Sequence, residues 1–298
     1  MGVSLDAGKF KADVVEIERF GFDSLWLPDV FGQDPFVMHA VASQVTERID
    51  LGTSVAVAHP RHPVSKARQA ITLTEVSGRR FMLGVGPSHQ PVIETMYGLS
   101  YARPAARMSE YVQILRSLAD SGSVAFEGEF YSANTGLDMV AEPPGFDVLL
   151  AALAPRMLSV AGEYADGVIL WMSMPPHIRN SVIPRISEAA QAAGRDRPRV
   201  VAGYPVCVTH DAAGAREYVA KTFAIYGQLP NYRRILDEAG VTGPEEVAIV
   251  GDVHEVADRL HELCDLGIDE VWAAVFAYGD DSRASVAHSR ETLMNIDL

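Results

Sequence analysis

With 298 residues, 48% of them apolar, the chain is long enough to bury the core of one large α/β domain. Its 25 Lys+Arg against 39 Asp+Glu leave a net charge of −14, which argues against binding DNA or RNA by neutralising phosphates. No apolar run approaches a membrane span and no signal peptide opens the chain. Cys207 and Cys264 form no metal or disulfide pattern, so a cytoplasmic protein without a membrane partner is expected.

In chain order the sequence alternates strands and helices. A short first strand is expected at Gly2–Leu5. A helix carrying Phe10, Val14, Val15, Ile17 and Phe20 follows and is closed by Gly21. Ser24–Leu27 reads as the second strand, Phe36–Gln44 as a helix, Ile49–Val57 as the third strand and Val64–Val76 as a helix started by His62-Pro63. Phe81–Val85 is the fourth strand. Helical spacing is clear over Arg107–Leu118, and Val124–Tyr131 reads as a hairpin with Gly128 in its turn. Val148–Ala152 and Gly167–Trp171 are the fifth and sixth strands, joined by a helix that opens at Pro155. A helix at Ile178–Ala193, a strand at Val200–Val208 and a broken helical stretch (Glu217–Tyr226, Tyr232–Ala239) come next. Asp252 and Glu255 have the spacing of a capping box for a helix over Asp252–Leu266. Glu270–Phe276 is the eighth strand. Asp280-Asp281 reads as a solvated turn before a closing helix over Ser285–Met294.

Strands alternating with helices, with no linker between them, imply a single domain over residues 1–298 of the (β/α)8 TIM-barrel class. A doubly wound sheet would place a glycine-rich dinucleotide fingerprint after the first strand, where the chain offers only SLDAGKF. In a barrel the chemistry belongs at the C-terminal ends of the strands. Asp29 ends the second strand there, as a carboxylate able to accept from a ligand or handle a proton. Ser54 and Val55 lie in the second half of the third strand. Gly86 ends the fourth, where a glycine permits close approach. His89, just beyond, is a side chain that changes charge near neutrality. His59 and His62 lack a third metal ligand nearby, so no metal is expected. Around Leu153–Met157 small residues and a helix N-terminus suit a phosphate. No Ser-His-Asp order, HExxH, phosphate loop or strand lysine for a Schiff base is present.

Four stretches in order, GFDSLWLPD, RHPVSKARQAITLTEVSGRRFMLGVGPSH, LLAALAPRMLSVAGEYADGVIL and AIVGDVHEVADRLHELCDLGIDEV, resemble the luciferase-like family of flavin and deazaflavin oxidoreductases, and within it the coenzyme F420-dependent branch. The resemblance covers nearly the whole chain. It implies that Asp29 contacts the deazaflavin and that Ser54-Val55 forms a bulge behind the ring, held by a cis peptide in relatives. It also implies that Leu153, Ala154, Pro155, Arg156 and Met157 surround the cofactor phosphate, that Trp171 lies near the same cofactor arm, and that His89 or Asp29 manages the proton of a hydride transfer. By analogy the protein is expected to form a homodimer and to act on a small molecule. Part of the pocket is assigned to Tyr97, Tyr101, Trp171, Phe223, Tyr226 and Tyr232.

The chain departs from the family pattern at several positions. Val30 stands where the sugar-phosphate dehydrogenases of this branch have a histidine, and His89 where they have a glutamate. Arg79 replaces a common glycine, and Leu153-Ala154 a more usual Ser-Gly or Gly-Gly, with Arg156 able to compensate by charge. The implied activity is an F420-dependent reductase or dehydrogenase. The alternatives are an FMN-dependent monooxygenase of the same fold, a non-catalytic flavin-binding barrel and an unrelated barrel lyase or aldolase.

Overall fold

The computed structural model describes residues 6–138 and 145–297. The strand expected at Gly2–Leu5 lies outside the described residues. The chain divides into two compact units. One comprises the chain through Ala152 with Arg156–Ile169 and Ala189–Pro198; the other comprises Leu153–Pro155, Leu170–Glu188 and the chain from Arg199 onward. Among the described residues no helix is long and apolar enough to cross a membrane.

In chain order the elements up to β8 are α1 (Ala7–Phe20), β1 (Ser24–Leu27), α2 (Pro35–Ser43), β2 (Asp50–Thr53), β3 (Ala56–Val57), α3 (Pro63–Val76), β4 (Phe81–Gly86), α4 (Pro104–Ser121), β5 (Ser123–Glu127), β6 (Ser132–Gly136), β7 (Asp147–Ala151), α5 (Pro155–Tyr164) and β8 (Gly167–Trp171). The strands β1, β2, β4, β7 and β8 pair in that order, all parallel, with β3 also on β4. A parallel sheet covered on both faces needs continuous apolar strands, and every residue of β4 is buried. The helices start where short acceptors stand. Asp6 accepts from Gly8 and Lys9, Asp34 from Phe36 and Val37 ahead of α2, and the His62 Nδ1 from Val64 ahead of α3. Strands crowd each other at glycines. A Cβ on Gly84 would lie 1.9 Å from the Thr53 carbonyl oxygen, and one on Gly52 2.4 Å from the Trp26 ring.

After β8 come α6 (Pro175–His177), α7 (Ile183–Ala192), β9 (Arg199–Val208), α8 (Ala212–Thr222), α9 (Pro230–Ala239), β10 (Ile249–Gly251), α10 (Val253–Asp265), β11 (Glu270–Val275) and α11 (Ser282–Met294). Both β10 and β11 run parallel to β9. The Asp252–Glu255 capping box forms as its spacing predicts.

Several expected boundaries move for local physical reasons. The third strand is not continuous: it breaks at the Ser54-Val55 peptide, which is cis, leaving β2 and β3 on either side. The hairpin is longer than Val124–Tyr131. The Glu110 carboxylate accepts the backbone N–H groups of Glu129, Phe130 and Tyr131 at 2.9, 2.8 and 2.9 Å, so these residues form the connection and the return strand starts at Ser132. Asp281 is a helix cap rather than a solvated turn, accepting from Arg283 and Ala284 at 3.0 and 2.9 Å. Helix α8 begins at Ala212 instead of Glu217 because Asp211 accepts from Gly214. The three-residue strand β10 was not expected. Arg79, in the family's glycine position, has φ 69°, a left-handed conformation that glycine adopts without strain.

Two stability predictions arise here. Glu110→Ala strips one acceptor from three backbone donors, so it should lower the unfolding free energy by about 2–3 kcal/mol and speed hydrogen exchange at residues 129–131, with Glu110→Gln milder. His39 is fully buried, its Nε2 lies 2.9 Å from the Gly52 carbonyl, and burial pulls its imidazole down to about 4. A depressed folded-state value means no penalty above the unfolded value near 6.5 and progressive loss of stability as pH falls from there toward 4. Urea unfolding of wild type across that window should lose about 3 kcal/mol more than His39→Gln does.

Candidate functional site

In the first unit, Asp29 follows the C-terminal end of β1, Ser54 and Val55 follow that of β2, Gly86 ends β4 and His89 lies just beyond it. Asp29 follows β1 and Pro28. Its half-buried carboxylate accepts the Val57 backbone N–H through Oδ2 at 3.0 Å, while Oδ1 makes no hydrogen bond among the described residues. The Ser54 N–H bonds to the Leu27 carbonyl at 2.9 Å, the last rung between β1 and the β2 end. The Ser54 hydroxyl is buried and makes no hydrogen bond among the described residues. The close approach at Gly86 comes from within the protein: a Cβ there would lie 2.8 Å from Val55 Cγ2 and 2.9 Å from Ala151 Cβ. Gly86 therefore lets Val55 sit against the sheet.

His89 lies beyond β4, mostly buried, and burial pulls its imidazole below the usual histidine value, so the neutral ring dominates around pH 7. Next to it in chain order, the Ser88 carbonyl accepts from the Tyr101 hydroxyl at 2.9 Å. Tyr101 in turn stacks on His59, with centroids 5.5 Å apart and planes at 16°. Burial, then the Arg107 charge, brings His59 down to about 4, so this ring is also neutral near pH 7. Tyr101 is thus committed to a stack and a backbone bond. Arg107 lies over the Phe130 and Tyr131 rings at 4.6 and 5.7 Å. His62 caps α3, and among the described residues no group of three or more His, Cys, Asp or Glu side chains could hold a metal.

In the second unit, Leu153 and Ala154 form the loop ahead of α5. The Leu153 carbonyl accepts from Arg234 Nη2 at 3.1 Å and lies 3.1 Å from the His177 Nε2. His177 is almost fully buried, and its Nδ1 lies 3.2 Å from Glu238, which also takes Arg234 Nη1 at 2.6 Å. Sequence reading missed this three-residue clamp because its members come from α6 and α9. In α5, Arg156 is exposed and Met157 buried. Trp171 stacks on Trp272, centroids 4.9 Å apart at 20°, and touches Phe223 and Tyr226; Tyr226 packs edge-on against Tyr232 at 4.9 Å. The expected pocket aromatics Phe223, Tyr226 and Tyr232 are therefore one cluster with Trp171. Tyr97 is exposed and Tyr101 belongs to the first unit.

Residues 5–270 match the family model described as luciferase-like monooxygenase, and the chain belongs to that family. It is 32% identical over 281 residues to an uncharacterised protein of Mycobacterium tuberculosis, covering 90% of this chain and 78% of that one. It is 24% identical over 300 residues to the 5,10-methylenetetrahydromethanopterin reductase of Archaeoglobus fulgidus, covering 90% of each. Among solved structures, the coenzyme F420-dependent tetrahydromethanopterin reductase from Methanopyrus kandleri superposes with a TM-score of 0.79 at 22% identity, covering 98% of this chain and 95% of its own. The FMN complex of the oxygenating constituent of 3,6-diketocamphane monooxygenase from Pseudomonas putida gives 0.78 at 17% identity, covering 99% and 93%. The fold class is the luciferase-like (β/α)8 barrel that the sequence predicts.

The clamp on Leu153 is testable. His177→Phe removes one of two donors from the Leu153 carbonyl, and should cost about 1–2 kcal/mol of stability while raising hydrogen exchange at residues 153–156 in mass spectrometry.

Proposed function

We propose that the protein is an F420-dependent oxidoreductase that moves a hydride between the deazaflavin and a small or medium-sized organic substrate. The similarity to a relative named as a putative coenzyme F420-dependent oxidoreductase over 84% of this chain, together with the shared fold of a coenzyme F420-dependent reductase, carries this reading. The site residues fit a ring with polar edges. Among the described residues the buried Ser54 hydroxyl has no hydrogen-bond partner, and Asp29, in the same unit, keeps one carboxylate oxygen uncommitted. On this reading Asp29, Ser54, Val55 and Gly86 would hold the ring portion of the cofactor. Leu153, Ala154, Pro155, Arg156 and Met157 would hold its phosphate, with Trp171 near the same arm. F420, when bound, supplies the hydride chemistry, since a deazaflavin is a hydride carrier and a poor oxygen activator.

The chain's own residues then orient, shield and move protons. Val55, packed into the notch at Gly86, offers an apolar surface. His89, neutral near pH 7, can take a proton at a ring nitrogen; Asp29 is the other candidate for that step. The second reading is an FMN-dependent monooxygenase, favoured by the FMN-bound structure of the same fold.

Fluorescence titration separates the two. Purified protein should quench or shift F420 emission with saturation at micromolar cofactor, about 1–10 μM, and bind FMN more weakly. Saturable FMN binding without F420 binding would overturn the cofactor assignment. Arg156→Ala should weaken F420 binding if the exposed guanidinium assists the phosphate.

A further inference from the structure

The clamp on Leu153 holds an imidazole between two acceptors. His177, on α6, has its Nε2 3.1 Å from the Leu153 carbonyl oxygen and its Nδ1 3.2 Å from Glu238 Oε2, with 1% of the side chain exposed. A carbonyl and a carboxylate accept, and a neutral imidazole has a single N–H. Whichever ring nitrogen carries that proton, the other turns a lone pair toward an oxygen. The imidazolium, with two N–H groups, satisfies both oxygens at once, and in a buried network an unmet group is costly.

Arg234, on α9, spans the same two acceptors. Its Nη1 reaches Glu238 Oε1 at 2.6 Å and its Nη2 the Leu153 carbonyl at 3.1 Å. The guanidinium therefore already balances the one carboxylate of the clamp. A proton added at His177 leaves the clamp with a surplus positive charge, at a carbonyl of the loop ahead of α5. All four residues belong to the second unit.

We propose that His177 is a positioning residue for the Leu153–Pro155 loop that takes a proton from solvent when an anion is seated there, donating then to Leu153 through Nε2 and to Glu238 through Nδ1. The hydrogen-bond arrangement concerns this chain alone. The anion rests on the proposed function, which places the cofactor phosphate at this loop.

In the free protein burial, then the Arg234 charge, holds the His177 imidazole below the usual histidine value, against the pull of Glu238 and the Leu153 carbonyl, so the ring is neutral near pH 7. Among the described residues of the second unit, Glu238 and Arg234 are the charged groups that face it. Arg179, two residues along its own segment, is exposed, and Leu153, Ala154 and Pro155 carry no charge. Reciprocity fixes the sign: an anion that favours the proton is itself bound more tightly as pH falls.

Protein labelled with 15N-histidine reports the proton directly, because two-bond 1H–15N spectra distinguish a neutral ring from a doubly protonated one. The signal missing in His177→Gln assigns it. At pH 7 the free protein should show His177 neutral, and saturating F420 should convert it to the imidazolium. A ring that stays neutral with F420 bound, or is already charged without it, overturns the coupling. F420 titrations at pH 6 and pH 8 form the second arm. Wild type should lose about tenfold more affinity across that interval than His177→Gln; titration of the cofactor itself is common to both proteins and cancels. A purely structural role would weaken the variant equally at both pH values, so an equal pH dependence overturns the proposal. If wild type binds no F420, the proposed function fails and the anion coupling with it. The free protein still decides the two-acceptor arrangement: Glu238→Gln, which exchanges the carboxylate for a neutral amide, should lower the His177 midpoint by about one pH unit, and an unchanged midpoint overturns it. A dispersed amide spectrum shows whether each variant is folded.

Discussion

One hydrogen bond, from the Val57 N–H to the Asp29 carboxylate, takes over where a strand ladder stops. The β1–β2 pairing ends with Ser54 N–H on the Leu27 carbonyl, and the chain then turns through the Ser54-Val55 peptide before β3 resumes against β4. The Val57 N–H is buried there, and an unpaired buried amide costs as much as a lost hydrogen bond or more. A side-chain carboxylate from the end of β1 fills the place of a strand. The same carboxylate consequently cannot be exchanged for an apolar residue without exposing a backbone fault, and any ligand that approaches meets an acceptor already fixed in direction. The notch in which Val55 packs against Gly86 belongs to the same unit.

Tight backbone packing makes this possible. Gly52, Gly84 and Gly86 have no room for a methyl group, being pressed by Trp26, by the Thr53 carbonyl and by Val55 with Ala151. In the second unit Gly203 plays the same part under the Trp272 ring, 2.0 Å from where a Cβ would stand. These positions hold strands at fixed offsets, and the functional side chains at their ends inherit that precision rather than supplying it.

What could be read from sequence was the part decided by neighbours in the chain. Apolar runs gave β1, β4, β8 and β9 within a residue or two, and the Asp252–Glu255 spacing gave α10 its start. The return strand of the hairpin was misplaced because Glu110, some twenty residues earlier, decides where the ladder begins. Strand β10 is three residues long, too short for periodicity to register. At the site, Asp29 and His89 stood out as residue types at strand ends, but their partners did not. The Asp29 bond spans 28 positions, and the Leu153 carbonyl is held by residues 24 and 81 positions away.

The Trp171–Trp272 stack has an optical consequence. Two indoles with centroids 4.9 Å apart and planes 20° from parallel are close enough for their transition dipoles to couple, so circular dichroism in the indole bands should carry a split signal from this pair. Both rings belong to the second unit, whereas Trp26, the third tryptophan, is buried in the first with its Nε1 on the Ser24 hydroxyl at 2.9 Å. The molecule therefore contains a spectroscopic label for each of its two units, one a coupled pair and one a lone chromophore.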